Sequence, residues 1–234
     1  SCGDVYVNNA FSVSHHKHAS LVGVTKYLPS FAGELTVREV NALSVVPKKP
    51  FVLIVGGAKI GLKIPLIKGF GPKVDAILIG GASGLTMLTA SQGKLPVSAP
   101  QFTKPSDVAE ARKIAKKYGK KIYLPCDLVV SANAIPDIGP ETVKHFVSAI
   151  AKAKTIVWSG PLGIIERKDG FSGTLAIATA IARNKKAISI VGGGETVECL
   201  EEFNLTDSYT HVSTGGSAML AFLNGRSMPG LEVL

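Results

Sequence analysis

The stretch that most constrains this chain runs from Phe51 to Lys63, FVLIVGGAKIGLK. Phe51 to Val55 is apolar without alternation, the habit of a strand buried on both faces in a parallel sheet. Gly56 and Gly57 let the backbone turn tightly and approach a ligand closely. Lys59 and Lys63 are four residues apart, so on the helix expected to follow they share one face at its positive end, a place for phosphate. The same punctuation recurs in AILIGGAS (76 to 83), TIVWSGPLG (155 to 163), AISIVGGGET (187 to 196) and YTHVSTGGSA (209 to 218). In open parallel sheets ligands bind beyond the carboxyl ends of the strands, where helix N-termini attract anions.

From residue 51 onward strands and helices alternate, which predicts an α/β fold with a doubly wound, Rossmann-like parallel sheet. The expected strands are 51 to 56, 76 to 80, 121 to 129, 155 to 159, 187 to 192 and 209 to 213. The clearest helices are 104 to 118 and 140 to 152, the second capped by the turn Asp137-Ile138-Gly139. Residues 4 to 11 read as a strand and its exit. Pro29 to Leu43 reads as one amphipathic helix, with Glu39 partly surrounded by Leu35, Val40 and Leu43, and a domain boundary falls in or around it.

The 46% hydrophobic and 18% charged residues exclude a disordered chain. A net charge of +9 favours anionic partners. The basic residues are scattered and little interleaved with aromatics, which favours a polyphosphate metabolite over nucleic acid. Cys2, Cys126 and Cys199 lack a CxxC pair and fit a reducing cytoplasm without a zinc site. No apolar run reaches membrane-spanning length, and SCGDVYVNNAF is not a signal peptide. Without an initiator Met, the chain reads as a piece of something longer. A metal site at His15, His16 and His18 is conceivable, but a basic anion-facing loop or a plain turn fits better.

Gly56 and Gly61 have Walker A separation, but Leu62 intervenes before Lys63 and no Ser or Thr follows. Gly56, Ala58 and Gly61 give only a degenerate dinucleotide fingerprint, which disfavours NAD. What remains suits phosphoryl transfer, which needs positioning, positive charge and a magnesium ion on a carboxylate. Lys59 and Lys63 supply charge. Glu195, after Gly192-Gly193-Gly194, is the carboxylate best placed for magnesium, or else an acid favourably set in a helix first turn. Thr214-Gly215-Gly216 offers unpaired N–H groups at the start of the last helix.

The ordered motifs DVYVNNAF, SHHKHAS, PSFAGEL, FVLIVGGAK, IGGA, DIGPET, WSGPLG, VGGGET, HVSTGGSAM and MPGLEVL resemble phosphoglycerate kinase from Asp4 to Leu234. The resemblance implies two doubly wound domains, 3-phosphoglycerate on the first and ADP or ATP with Mg2+ on the second, closing about a hinge to transfer an acyl phosphate. It divides the chain into a remnant of the 3-phosphoglycerate domain (1 to 28), an interdomain helix and hinge (29 to 46) and a nucleotide-binding domain (47 to 234). Lys59 resembles the lysine on the nucleotide phosphate, and Lys63 the one that supports the phosphoryl group in flight. Gly57 belongs to the same turn. Gly80 and Gly81 match the adenine-side turn. Gly160, Pro161, Gly163 and Glu166 match the segment around the nucleoside, with Glu166 on the ribose. Gly194 and Thr196 flank the magnesium acid Glu195. Gly215 and Gly216 match the helix start that receives the transferring phosphate. His16 falls in the 3-phosphoglycerate motif, and Glu39 and His211 fall on a hinge pair. The full-length enzyme implied is a cytoplasmic monomer that binds neither nucleic acid nor membrane.

Several positions depart from the family pattern. Glu195 replaces Asp, moving the carboxylate by about 1.5 Å. Ser159 replaces Asn, Ser217 the third glycine, Gly61-Leu62 a Ser-Asp pair, Asn9 an Asp, and His16 the arginine that holds the substrate phosphate. The family's first half has no counterpart before Ser1. Two other readings therefore stand beside the kinase: a nucleotide-binding remnant without catalysis, and a non-enzymatic Rossmann-like interaction module.

Overall fold

A computed structural model describes residues 3–58, 60–93, 104–131 and 134–234. Its centre is a six-stranded, all-parallel sheet: β3 (Phe51–Val55), β4 (Ala76–Ile79), β5 (Ile122–Tyr123), β8 (Thr155–Ser159), β9 (Ile188–Gly192) and β10 (His211–Ser213), in the order β10-β9-β8-β3-β4-β5. The unbroken apolar strands follow from burial on both faces. Phe51, Leu53 and Val55 point to one core with α2 (Ile60–Phe70), α4 (Pro105–Tyr118) and α8 (Ser217–Leu223). Val52 and Ile54 point to the other, with α5 (Pro140–Lys152), α6 (Ser172–Arg183) and α7 (Gly194–Glu202). Helix α3 (Gly81–Gln92) follows β4, and β6 (Leu128–Ser131) pairs with β7 (Ala134–Ile138) in a separate antiparallel hairpin.

The first segment forms a second, two-stranded parallel sheet, β1 (Tyr6–Asn8) on β2 (Ser30–Ala32). It leaves Val7 and its register partner Phe31 more than half exposed. Beyond β1 the chain docks on α8 and α9 (Pro229–Glu232). Phe11 has no exposed surface and meets Phe222 edge-on at 6.2 Å. The Asn8 side chain donates to the Gly230 carbonyl at 2.8 Å.

Three sequence expectations need correction. Residues 29 to 43 are not one helix: Ser30–Ala32 is strand, and α1 (Glu34–Leu43) starts later. Its first turn is capped from outside, by Asn9 Oδ1 accepting from the Leu35 and Thr36 amides at 2.8 and 3.3 Å. The strand expected over 121 to 129 is broken in two, because after β5 the chain turns through Pro125 and Cys126 before β6. The expected cap of α5 is also different. Asp127, not the 137 to 139 turn, accepts the Glu141 and Thr142 amides at 2.9 and 2.7 Å.

Candidate functional site

The sheet order reverses direction between β3 and β8, since the chain proceeds from β3 to β4 and β5 on one side and to β8, β9 and β10 on the other. At such a switch point the loops leaving the two strands diverge and open a crevice. Gly56 still donates to the Ser159 carbonyl at 3.0 Å, and the glycine turns follow at once. Gly57 and Gly160 take φ of +86° and +96°. A Cβ on Gly160 would stand 2.9 Å from the Gly57 nitrogen, so the close crossing of the two loops requires glycine there. Gly57 donates to the Pro161 carbonyl, and Gly81 to the Leu162 carbonyl, each at 2.8 Å. Gly57, Gly80, Gly81, Gly160 and Pro161 are thus drawn to one rim.

Lys63, one turn into α2, reaches back over this crossing. Its Nζ donates to Ser159 Oγ at 2.8 Å. Lys63 Cε and Glu195 Oε2 each lie 3.9 Å from where a Gly57 Cβ would be, so ammonium and carboxylate flank the same turn. Burial lowers the Lys63 pKa below the usual lysine value, and the Glu195 charge works the other way. Glu195 itself is exposed in the first turn of α7.

The glycines after β9 and β10 continue the rim. Gly193 (φ +109°) precedes Gly194 at the start of α7, and Ser159 Oγ lies 3.5 Å from its absent Cβ position. The corresponding position on Gly216 (φ +45°) is 4.0 Å from the Gly193 Cα. Gly215 is packed against the Phe11 ring. Helix α8 begins only at Ser217 and is followed by α9, and two of the amides expected to be unpaired before it are taken: Thr214 donates to Glu39 Oε1 at 2.7 Å and Gly215 to Ser213 Oγ at 3.0 Å.

Other residues singled out by sequence have different surroundings. Thr196 is fully buried, and its hydroxyl accepts the Gly160 amide at 2.8 Å, so that hydroxyl serves the loop crossing. Gly163 sits over Asp137, whose Oδ1 is 2.6 Å from its absent Cβ position. Glu166 is exposed on the following turn, and its charge is among those that, behind burial, raise Cys199 of α7. His16 is exposed on the segment before β2, its ring tilted against His15 at 3.8 Å and edge-on to His18 at 5.3 Å. Lys59 lies outside the described residues.

Glu39 of α1, with no exposed surface, is brought against His211 Nε2 at 2.8 Å. It also accepts from Ser213 Oγ, the Thr214 amide and Thr214 Oγ1 at 2.7 to 2.8 Å. Sequence reasoning did not find Ser159 as the partner of Lys63, or Asp137 beneath the loop after β8. The only local sign of the first is its place directly before Gly160.

Among the described residues no three His, Cys, Asp or Glu side chains group to hold a metal ion. A single exposed carboxylate beside a lysine nevertheless fits a magnesium ion that arrives on a nucleotide, because Mg2+ keeps several waters and takes one or two carboxylates plus substrate phosphates. No described helix is long and apolar enough to cross a membrane.

Comparison with known proteins identifies the family and matches the fold. The family model described as phosphoglycerate kinase matches residues 1–226. The phosphoglycerate kinases of Dictyoglomus turgidum and of one strain of Thermus thermophilus are 40% and 39% identical, over 100% and 99% of this chain. Among solved structures, phosphoglycerate kinase from Coxiella burnetii superposes with a TM-score of 0.87 at 36% identity, covering 98% of this chain and 65% of that one. The enzyme from Pyrococcus horikoshii gives the same TM-score at 28% identity, covering 98% of this chain and 64% of that one. The chain spans 65% of the length of these two curated relatives. Matched by the family model over nearly its whole length, it belongs to the phosphoglycerate kinase family.

Proposed function

We propose that this chain carries the nucleotide side of a phosphoglycerate kinase, the reversible transfer of the acyl phosphate of 1,3-bisphosphoglycerate to Mg-ADP, giving 3-phosphoglycerate and ATP. The observation that carries the reading is the Lys63 ammonium, held over the β3/β8 glycine crossing between Ser159 and Glu195. In the reaction the bond between phosphorus and the carboxylate oxygen breaks, and one to the terminal ADP phosphate oxygen forms. The group in transit is anionic throughout, so catalysis rests on positioning and positive charge.

The geometry and the family resemblance support the following residue roles. Lys59 and Lys63 hold phosphate charge. Gly57 admits the nucleotide at the turn shared with the lysines, Gly80 and Gly81 admit the adenine side, and Gly160, Pro161, Gly163 and Glu166 the nucleoside. Gly194 and Glu195 face the phosphates, with Thr196 holding Gly160 in place. Gly216, and Gly215 beside it, line the path of the group in transit; the Gly215 amide is already donated to Ser213 Oγ at 3.0 Å, so the backbone donor offered is that of Gly216. Glu195 would hold magnesium, which when bound offsets charge on the nucleotide phosphates. His16 would meet 3-phosphoglycerate from the 1 to 28 segment, and residues 29 to 46, with Glu39 on His211, form the hinge to the 47 to 234 domain. The full-length protein would be a cytoplasmic monomer.

Nucleotide binding without turnover is a second reading, favoured by Glu195 and His16 standing where the family has Asp and Arg. A folded chain that binds no nucleotide would instead be an interaction module. Calorimetric titration with ADP, with and without magnesium, separates these. Magnesium-dependent binding that Lys63→Ala weakens supports the nucleotide site. Turnover when the first half of a family member is supplied in trans separates the kinase from the remnant.

A further inference from the structure

Asp137, near the end of β7, is a carboxylate that the roles above leave unused. It is 3% exposed and, among the described residues, no cation pairs with it. Its Oδ2 accepts the Gly173 amide in the first turn of α6 at 2.6 Å, and its Oδ1 accepts the Ile138 amide at 2.8 Å. The same Oδ1 fills the space that a Cβ would take on Gly163 or on Gly173, at 2.6 and 2.5 Å. One residue earlier, the Pro136 carbonyl accepts the Ile164 amide at 2.7 Å. β7 is therefore the floor under the loop from Gly160 to Gly173, and Asp137 is the one ionisable side chain on that strand.

Burying an unpaired carboxylate is costly, and a fold can place an apolar residue at such a position instead. The two amide donors and the two glycines shaped around Asp137 match a side chain whose use is to fix the loop. We propose that Asp137 is a positioning residue for nucleoside recognition: by clamping the start of α6 and supporting Gly163, it holds the loop from Gly160 to Glu166 in its ligand-facing shape. The inference rests on the nucleotide reading above.

Titration of Asp137 gives the idea a second handle. Burial pushes its pKa up to about 6, with the Gly173 and Ile138 amides opposing that shift. Charged groups on the packed elements do not set this value. Arg167 and Asp169 of the loop pair with each other at 2.7 and 2.8 Å, and Asp127 before β6 is taken up by the α5 amides. Glu166, Lys168 and, at the far end of α6, Arg183 are not among its causes. Below that pKa the clamp carries a proton and loses its anionic acceptors.

The test measures the affinity of the chain for Mg-ADP and for magnesium pyrophosphate, in the native sequence and in Asp137→Asn. The expected result is a loss of about tenfold for ADP, with pyrophosphate changed by less than about twofold, because the roles proposed above put this loop on the nucleoside. In the native chain the ratio of ADP to pyrophosphate affinity falls as pH drops from about 7 to about 5, across the Asp137 pKa, a measurement that needs no variant. Equal losses for both ligands, unchanged ADP affinity or a ratio flat in pH would overturn the inference. Failure of the native chain to bind ADP at all would overturn the nucleotide reading and this inference with it.

Discussion

Lys63 Nζ donates to Ser159 Oγ at 2.8 Å, tying the helix after β3 to the end of β8 across 96 residues of sequence. An ammonium has three donors, and among the described residues this hydroxyl is its one hydrogen-bond partner. Desolvation already depresses its pKa, so the group is paired less fully than its burial demands. An incoming phosphate would complete it. Lys63→Met is therefore expected to lower Mg-ADP affinity by at least about tenfold, the scale of one charge-assisted hydrogen bond. The melting temperature should stay level or rise, because an incompletely satisfied, half-buried charge is removed. A large fall in melting temperature with ADP affinity unchanged would contradict both halves.

Glu195 stands on the other side of the Gly57 turn. By the sequence resemblance it stands where the family has Asp; its longer side chain would then carry the carboxylate about 1.5 Å further, and metal geometry is sensitive to such shifts. Glu195→Asp should increase the factor by which magnesium strengthens ADP binding, while Glu195→Gln should reduce it towards one. Calorimetry with and without magnesium reads both. Identical magnesium factors in the three proteins would remove Glu195 from the metal.

The loop crossing should be intolerant of side chains. At Gly160 a Cβ meets the Gly56 and Gly57 backbone, and the φ of +96° is itself unfavourable for L residues. Gly160→Ala should cost at least about 2 kcal/mol in denaturant unfolding. Thr196→Val removes the buried acceptor of the Gly160 amide and should cost about 1–3 kcal/mol, with Thr196→Ser restoring most of it.

The parts legible in sequence were those set by local pattern. Five apolar residues in a row at Phe51 to Val55 and the buried run Thr155 to Ser159 sit on both faces of the sheet, and the glycines after them turn where expected. Pro140 opens α5 as read. The misread parts depend on groups far away in sequence. Asn9 caps α1 from 26 residues off, which lets the helix begin at Glu34 and frees Ser30–Ala32 to pair as strand. Asp127 caps α5 from 14 and 15 residues off, and placing it there breaks the expected strand at Pro125. The site divides the same way. Lys63 and Glu195 were named from glycine turns, but Ser159 and Asp137 gain their roles only when β8 lies beside β3 and β7 lies under the 160 to 173 loop.

Glu39 gives a pH dependence of known sign. Burial pushes its pKa up, but the donors from His211, Ser213 and Thr214 outweigh this and hold it below the usual 4.5. A carboxyl depressed by folding contributes stability that is present above its unfolded pKa and is lost as pH falls through the folded one. Unfolding free energy should therefore decline on acidification below about pH 4.5. Glu39→Gln replaces one acceptor by a donor facing the same hydroxyls and amide. It should lose about 2–3 kcal/mol near neutral pH and flatten the acid decline. Urea titrations of both proteins at about pH 7 and about pH 4 supply the comparison. Parallel declines in the two proteins would show that another carboxylate sets the acid limb and that the α1 to β10 contact does not titrate in this range.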